Sequence, residues 1–152
     1  TIHLEWMESL LRERPDLKRE TLQRTQELMN KAVPDCLVSG FEPLIRTLSL
    51  PDENDRHVLA AAIRCRADII VTLNLKDFPT ETLAERGIRA KHPDAFVLSW
   101  LNSDPTVVLK TLREMRSRLK KPPKTIPEFL QTLERQGLSE TVSALGELDA
   151  EL

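Results

Sequence analysis

Apolar residues recur along most of the chain at the three-to-four-residue spacing of an α-helix. The first predicted helix covers residues 2–14 and ends at Pro15, and a second covers residues 17–32 and ends before Pro34. Residues 41–48 predict one or two further helical turns. The other predicted helices cover residues 54–66, 80–86, 94–102, 106–119, 127–136 and 139–148. Trp6 and Trp100 fall within such helices, and we expect both in the core.

Three short segments follow a different pattern and predict β-strands. Residues 69–73 begin with Ile69-Ile70-Val71, a continuous β-branched run typical of a strand covered by helices on both faces. Residues 36–40 form a strand candidate that ends in a glycine, and residues 88–91 an edge strand. Strands interspersed with helices predict an α/β fold.

Composition and charge narrow the possible functions. A chain of 152 residues with 30% charged and 40% hydrophobic side chains is typical of one globular domain. No apolar run approaches the roughly 20 residues of a membrane span, and we expect no membrane association. A formal net charge of −2 argues against nucleic-acid binding through bulk charge, so such a role requires a local patch or a metal.

Localisation follows from the cysteines and from the start of the sequence. Cys36 and Cys65 lie far apart in no metal-ligand spacing, which predicts free thiols in a reducing compartment. The chain does not start with a basic-then-apolar leader. We therefore expect a cytoplasmic protein.

The segment around Asp55 carries the strongest chemical signal. Asp55 shares a helix face with Val58, Leu59 and Ala62, so its carboxylate points inward. A carboxylate in that position must be capped, paired or bound to a cation, because burial of a bare charge is costly. The alternative is that Asp52, Asn54 or Asp55 caps the helix and complements its dipole.

A second polar cluster follows the strand at residues 69–73. If the helix 54–66 runs down one side of the sheet and the strand returns, then Asn74, Lys76 and Asp77 emerge at the edge where Asp55 lies. That carboxyl edge is where open α/β sheets bind ligands. Ordinary turn chemistry is the alternative for Asn74 and Asp77. Glu5, one turn into the first helix, is a third candidate, with a plain surface glutamate as its alternative.

Three segments together resemble a known family. They are IHLEW at 2–6, LPDENDRHVLAAA at 50–62 and VTLNLKDF at 71–78, and they look like a bacterial PIN-domain protein of the branch related to VapC-type toxins. The likeness runs from the first residue to about residue 96, and the helical tail is also similar to that branch. It implies a three-layer α/β/α fold with a short parallel sheet. We place the PIN-like domain at residues 1–121 and a helical C-terminal extension at 122–152, after the linker-like Lys120–Lys124.

The resemblance also implies an activity. PIN-like proteins of this branch are metal-dependent endoribonucleases, and by position Glu5, Asp55 and Asp77 match the metal-binding acids. Asn74 matches a further polar catalytic position. Hard oxygen ligands suit Mg²⁺ or Mn²⁺, which activates a water and stabilises charge on the phosphate. The expected context is the toxin half of a toxin–antitoxin pair, with RNA as substrate, a small antitoxin as inhibitor and a homodimer as the assembly.

Basic side chains could contact RNA in two places. Arg56, Arg64 and Lys76 lie close to the predicted site in sequence and are candidates for phosphate contact. The basic end of the helix 106–119 and the residues after it either complement the helix dipole or bind RNA or an acidic partner. The chain has no Tyr, 2 Trp and 4 Phe, so a base-stacking platform is not predicted.

One departure from the family changes the expected activity. The family begins with a central strand that bears an aspartate, and such a segment would precede Thr1. We therefore expect an N-terminally truncated chain that binds metal poorly and cleaves RNA weakly or not at all. Its open sheet edges favour pairing with another chain. The alternative function is a non-catalytic PIN-like interaction module.

Overall fold

The computed structural model describes residues 2–33 and 35–148 and divides into two compact units. The first unit comprises Thr1–Ile70 and Lys76–Arg89, and the second comprises Val71–Leu75 and Ala90–Leu152. The predicted boundary between residues 121 and 122 stays a prediction.

The first unit is built mainly from helices. They are α1 (Ile2–Glu13), α2 (Arg19–Ala32), α3 (Glu42–Ile45), α4 (Arg56–Cys65) and α5 (Thr80–Ala84). Helices α1 and α2 pair through the buried side chains of Met7 and Leu22. An ion pair between Arg19 and Glu8 spans 2.8 Å, but both partners are exposed, so it adds little stability.

Helix α4 is partly buried in the first unit, and this burial accounts for its alanine-rich sequence. It buries Leu59, Ala60 and Ala62, and α3 packs against it. Alanine is a strong helix former, and its small side chain lets neighbouring elements approach closely. The helix ends at Arg66, which adopts the left-handed conformation with φ of 57°. This ending turns the chain into the strand that follows.

Two parallel strands, β1 (Ile69–Val71) and β2 (Arg89–Lys91), form the sheet. The N–H of Arg89 donates to the carbonyl of Asp68, and the N–H of Thr72 donates to that of Lys91, each at 3.0 Å. These strands confirm the α/β class and the two strand predictions, although the one at 69–73 forms only over Ile69–Val71. The expected cover on both faces is wrong for this strand, because Val71 is 45% exposed. The three-layer arrangement stays a prediction.

The predicted strand at 36–40 is wrong. None of these residues forms a strand in the part of the chain that the structure describes, and Gly40 takes the left-handed conformation with φ of 73°. Cys36 and Leu37 are exposed. A strand needs a neighbour for its backbone groups, and no described strand pairs with this segment. The turns predicted at 41–48 are helical only over Glu42–Ile45.

The second unit carries four longer helices around its own core. They are α6 (Pro93–Ser103), α7 (Pro105–Arg118), α8 (Ile126–Arg135) and α9 (Ser139–Glu147). All four lie within two residues of their predicted bounds. The core contains Leu101, Leu112, Phe129, Leu133 and Leu145. Trp100 was expected in this core, which is wrong: it is 52% exposed, because the next residue, Leu101, takes the buried face of α6.

Asp94 joins α6 to α9 through an unusual helix cap. Its carboxylate accepts hydrogen bonds from the N–H of Glu140 at 2.8 Å and of Thr141 at 2.9 Å. The Thr141 hydroxyl donates to the same carboxylate at 2.6 Å. These amides lie in the first turn of α9, where backbone N–H groups have no intrahelical acceptor. An aspartate 46 residues away in sequence thus completes the helix start.

These contacts lower the pKa of the Asp94 carboxyl. Burial alone would raise the pKa of this carboxyl, but the hydrogen bonds from Thr141 and Glu140 favour its charged form more, and the pKa is lowered.

Of the helices that the structure describes, none is both long and apolar enough to cross a bilayer.

We expect Asp94→Asn to lower the free energy of unfolding by roughly 2–3 kcal/mol at neutral pH, because an amide cannot accept all three hydrogen bonds. A lowered pKa in the folded state stabilises the protein above the ordinary aspartate pKa, and this contribution is lost as pH falls. Urea unfolding across pH should therefore show the difference between wild type and variant shrinking below about pH 3.9. The matched control is Asp104→Asn, because asparagine caps α7 as well as aspartate does. An equal loss in both variants would contradict this account of Asp94.

Candidate active site

The turn before α4 positions the first acidic groups of the candidate site. Leu48 and Leu50 are buried and anchor its start. Asp52 caps a short 3₁₀-helix, Glu53–Asp55, by accepting a hydrogen bond from the Asn54 N–H at 2.8 Å. This confirms the capping alternative for Asp52. Asp55 stands at the N-cap position of α4, but among the described residues its side chain makes no cap hydrogen bond.

Asp55 lies within electrostatic reach of several other carboxylates of the first unit. Burial raises the pKa of Asp55, and the negative charges of Asp52, Asp77 and Glu5 raise it further, while His57 acts in the opposite direction. Glu5 and Asp77, the other two acids that the sequence singled out, therefore lie close enough to Asp55 for their charges to act on its carboxyl. Their roles as metal ligands stay a prediction.

Asp77 is the most deeply buried of these acids, at 8% exposure. It ends a second short 3₁₀-helix, Leu75–Asp77, and is followed by the buried Phe78. The chain between β1 and α5 thus carries Asp77 inward rather than out to solvent. A turn residue with a purely local role would be more exposed, so this burial favours a role in the site.

Glu5 reaches the site from α1 and meets His57 of α4. Atom Oε1 of Glu5 lies 3.1 Å from Nε2 of His57, but the two atoms do not form a hydrogen bond. The other ring nitrogen, Nδ1, lies 2.6 Å from the carbonyl oxygen of Asn54. His57 is a site residue that sequence reasoning missed. Its position three residues after Asn54, within the first turn of α4, is the signal that could have revealed it.

His3 lies on α1 but is not free to bind a metal. Its Nε2 is 2.9 Å from Oδ1 of Asn30, and its Nδ1 accepts a hydrogen bond from Trp6 at 3.0 Å. Both ring nitrogens are therefore used within the helix pair.

The remaining predicted residues occupy different places. Asn74 belongs to the second unit, is exposed, and its N–H donates to Oγ1 of Thr72 at 3.0 Å. Arg56 opens α4, is half-buried, and pairs with Glu53 at 2.7 Å. Arg64 lies in the last turn of the same helix, about 12 Å further along its axis. Lys76 is exposed beside Asp77. The roles predicted for these four residues stay predictions.

The carboxylate oxygens of Glu5, Asp55 and Asp77 are of the chemical type that binds divalent cations. Carboxylate oxygens are the ligands that Mg²⁺ and Mn²⁺ prefer, and the raised pKa of Asp55 reflects burial together with nearby negative charge. Within residues 2–33 and 35–148, however, no three His, Cys, Asp or Glu side chains are already arranged around a common metal position. Metal binding would therefore require these carboxylates to move closer together, and it stays a prediction.

An apolar groove of about 360 Å³ lies beside His57 in the first unit. Side chains of α1, α2 and the segment before α3 line it, among them Ile2, Met29, Leu37 and Phe41. The free thiol of Cys36 also faces it, and Cys65 is likewise free, as predicted.

Comparison with known proteins points to the VapC class. Residues 93–147, which contain all four helices of the second unit, match the family model described as the VapC50 C-terminal domain. The protein named "Putative ribonuclease VapC50" from Mycobacterium tuberculosis (strain ATCC 25618 / H37Rv) is 39% identical to this chain over 97 residues. That stretch is 64% of the chain but only 57% of the relative, so little more than half of the relative's length is matched. No solved structure matches the chain.

These matches support the predicted likeness to VapC-type proteins. The N-terminal truncation and the PIN domain itself stay predictions.

We expect Asp55→Asn to raise the unfolding temperature of the metal-free protein by a few degrees at neutral pH. A raised pKa in the folded state means that ionised Asp55 destabilises the fold, and that this penalty is absent below the ordinary aspartate pKa, about 3.9. The gain from Asp55→Asn should therefore disappear near pH 3. Thermal unfolding, monitored by circular dichroism at neutral pH and near pH 3, measures the gain and its disappearance.

The control for this test is Glu53→Gln in the same turn. Glu53 pairs with Arg56, so its neutralisation should leave the unfolding temperature unchanged or slightly lower it. A lower unfolding temperature for Asp55→Asn at neutral pH would show that the carboxylate is already compensated.

Proposed function

We propose that this chain carries the site of a PIN-like, metal-dependent endoribonuclease that hydrolyses RNA phosphodiester bonds. The observation that carries the proposal is the raised pKa of Asp55, which burial and the negative charges of Asp52, Asp77 and Glu5 cause. Similarity to a protein named as a ribonuclease supports it. Clustered acids are costly to maintain, and divalent metal catalysis is a function that requires them.

In this proposal Glu5, Asp55 and Asp77 hold Mg²⁺ or Mn²⁺. The bound ion would activate a water molecule and stabilise the charge on the phosphate oxygens. Asp77 is buried, which excludes competing water from its carboxylate. Asp55 lies at the start of α4, and this helix fixes its direction. Asn74 would add a polar contact to the substrate.

RNA phosphates would be held by cations at the edge of the site. Arg56 opens α4 one residue after Asp55, and its partner Glu53 is exposed and easily displaced. Lys76 is exposed next to Asp77. Arg64, in the last turn of α4, would contact a phosphate further along the RNA backbone. Such contacts position the substrate without selecting its sequence.

The wider context is proposed from the VapC likeness. We propose that the protein is the toxin of a toxin–antitoxin pair, that a cognate antitoxin blocks it, that it forms a homodimer and that it acts in the cytoplasm. A second candidate function is a non-catalytic interaction module, and the apolar groove beside His57 favours it.

The test is Mg²⁺-dependent cleavage of a mixed RNA pool by the product of the complete reading frame, free of any antitoxin. We expect cleavage that chelation abolishes, and a loss of at least 100-fold in Asp55→Asn because a metal ligand is removed. The matched control is Asp16→Asn, an exposed acid paired with Arg14, which should retain full activity.

Three results would contradict the proposal or its residue assignment. Equal cleavage by wild type and Asp55→Asn would indicate a contaminating nuclease. Cleavage that survives chelation would exclude the metal dependence. No cleavage by wild type in Mg²⁺ or Mn²⁺ would favour the interaction module.

A further inference from the structure

Basic side chains are concentrated in one short stretch of the second unit. Positions 110–124 carry seven of the 22 basic side chains of the chain and one of its 24 acidic ones. The stretch therefore has a formal charge of +6, in a chain whose net charge is −2. It runs from the middle of α7 to the turn before α8. A chain of slightly negative net charge needs such a local patch in order to hold a polyanion.

The dipole of α7 accounts for only part of this charge. Arg116 and Arg118 lie in the last turn, where a cation interacts favourably with the C-terminus of the helix. That effect falls off within one turn, and Lys110 lies about 12 Å before Arg118 along the helix axis. Lys120 and Lys121 follow the helix, but neither side chain donates a hydrogen bond to its last carbonyl groups among the described residues. The other cations therefore need a different explanation.

Two of the basic side chains fix the turn that follows α7. The half-buried Arg116 donates through its Nη1 atom to the carbonyl oxygen of Lys124 at 3.2 Å. The Nζ atom of Lys124 donates in turn to Oγ1 of Thr132 in α8. Lys120 and Pro123 form an antiparallel bridge, which closes the turn. The backbone of this turn is thus already ordered, so a ligand that binds there loses little affinity to ordering it.

The remaining five basic side chains are exposed, and together they form what we call the basic surface: Lys110, Arg113, Arg118, Lys120 and Lys121. Lys110 and Arg118 are two turns apart on the side of α7 that faces away from the buried Leu112. The basic surface therefore follows the outer side of the helix and continues into the turn.

Most of the basic surface is not neutralised by the protein itself. The side chains of Lys110, Lys120 and Lys121 make no hydrogen bond or ion pair with any residue that the structure describes. Arg118 lies 3.6 Å from Glu114, but both side chains are more than half exposed, so this ion pair is weak and is easily exchanged for another anion.

The composition of the basic surface favours RNA over an acidic protein as its ligand. Three of its five members are lysines, and lysine is depleted at protein–protein interfaces, where aromatic residues, methionine and arginine are enriched. An RNA strand instead presents phosphates at regular intervals, so it can contact cations that are spread along a helix and a turn at the same time. Each such contact releases a condensed counterion, which favours binding.

We propose that the basic surface binds the phosphate backbone of RNA without selecting its sequence. This inference goes beyond the proposed metal-dependent function, because the binding needs neither the acidic site nor cleavage. Only the choice of RNA as the nucleic acid rests on that function. Contacts with phosphates supply affinity and carry no sequence information, and they weaken as salt is added.

The experiment measures binding of a fluorescein-labelled, mixed-sequence single-stranded RNA to the full-length protein by fluorescence anisotropy at several salt concentrations. EDTA is present throughout, so that metal-dependent cleavage does not interfere. Each phosphate contact with a single strand contributes about 0.7 to the slope of log affinity against log salt. We therefore expect Lys120→Gln/Lys121→Gln to reduce this slope by about 1.4, and to weaken binding about equally for RNAs of different sequence.

The matched control is Lys18→Gln/Lys31→Gln, which removes two exposed lysines from the first unit and changes the net charge equally. Its slope should equal that of wild type. Equal slopes for the control and for Lys120→Gln/Lys121→Gln would overturn the proposal, and so would a wild type that does not bind RNA. Binding of polyglutamate without binding of RNA would also overturn it, in favour of an acidic protein partner.

A second measurement needs no variant. Lysine side chains of wild type are acylated with and without RNA, and the extent of labelling is read by mass spectrometry. We expect RNA to protect Lys110, Lys120 and Lys121 and to leave the labelling of Lys18 and Lys31 unchanged. Labelling of the first three lysines that RNA does not change would overturn the proposal.

Binding in EDTA and cleavage in Mg²⁺ separate this proposal from the metal-dependent function. If RNA binds through the basic surface but is never cleaved, the proposed nuclease fails and the basic surface remains. If RNA is cleaved while Lys120→Gln/Lys121→Gln binds it as the control does, only the role of the basic surface fails.

Discussion

Burial of the Asp55 carboxyl among like charges is the constraint on which the candidate site depends. Burial raises the pKa of Asp55 most, and the negative charges of Asp52, Asp77 and Glu5 raise it further. The fold places these acids by different means: Asp52 caps the 3₁₀-helix, Asp77 is buried, and Glu5 lies on α1 with Oε1 3.1 Å from Nε2 of His57. The side chain of Asp55 makes no cap hydrogen bond. A protein gains nothing in stability from such an arrangement, so a ligand of opposite charge is its natural explanation.

The part of this site that the sequence predicted follows from local rules. Helical periodicity placed Asp55 on the inward face of α4, and the β-branched run placed Asp77 just past a strand. The chain reversal between helix and strand then implied that both lie at one edge. Glu5 was only a weak candidate from its helix position, with a surface glutamate as the alternative, and the resemblance to a family is what gave it a role.

The features that the sequence did not predict depend on partners far away in the chain. The segment at 36–40 has strand-like composition, but it forms no strand because no described strand lies beside it. His57 lies beside Glu5 only because the fold brings α1 next to α4, and the two residues are 52 positions apart in sequence. Asp94 looks like an ordinary first-turn acid of α6, yet it caps α9. Such pairings cannot be inferred from periodicity, which reports on single elements.

The acids around Asp55 form the proposed site for a divalent cation. The most direct measurement is the pKa of the Asp55 carboxyl by carbon-13 NMR, first in metal-free protein and then with Mg²⁺ added. We expect a pKa above that of an ordinary aspartate without metal, and a clear decrease when Mg²⁺ binds, because the cation favours the charged carboxylate. An ordinary pKa that Mg²⁺ does not change would contradict it.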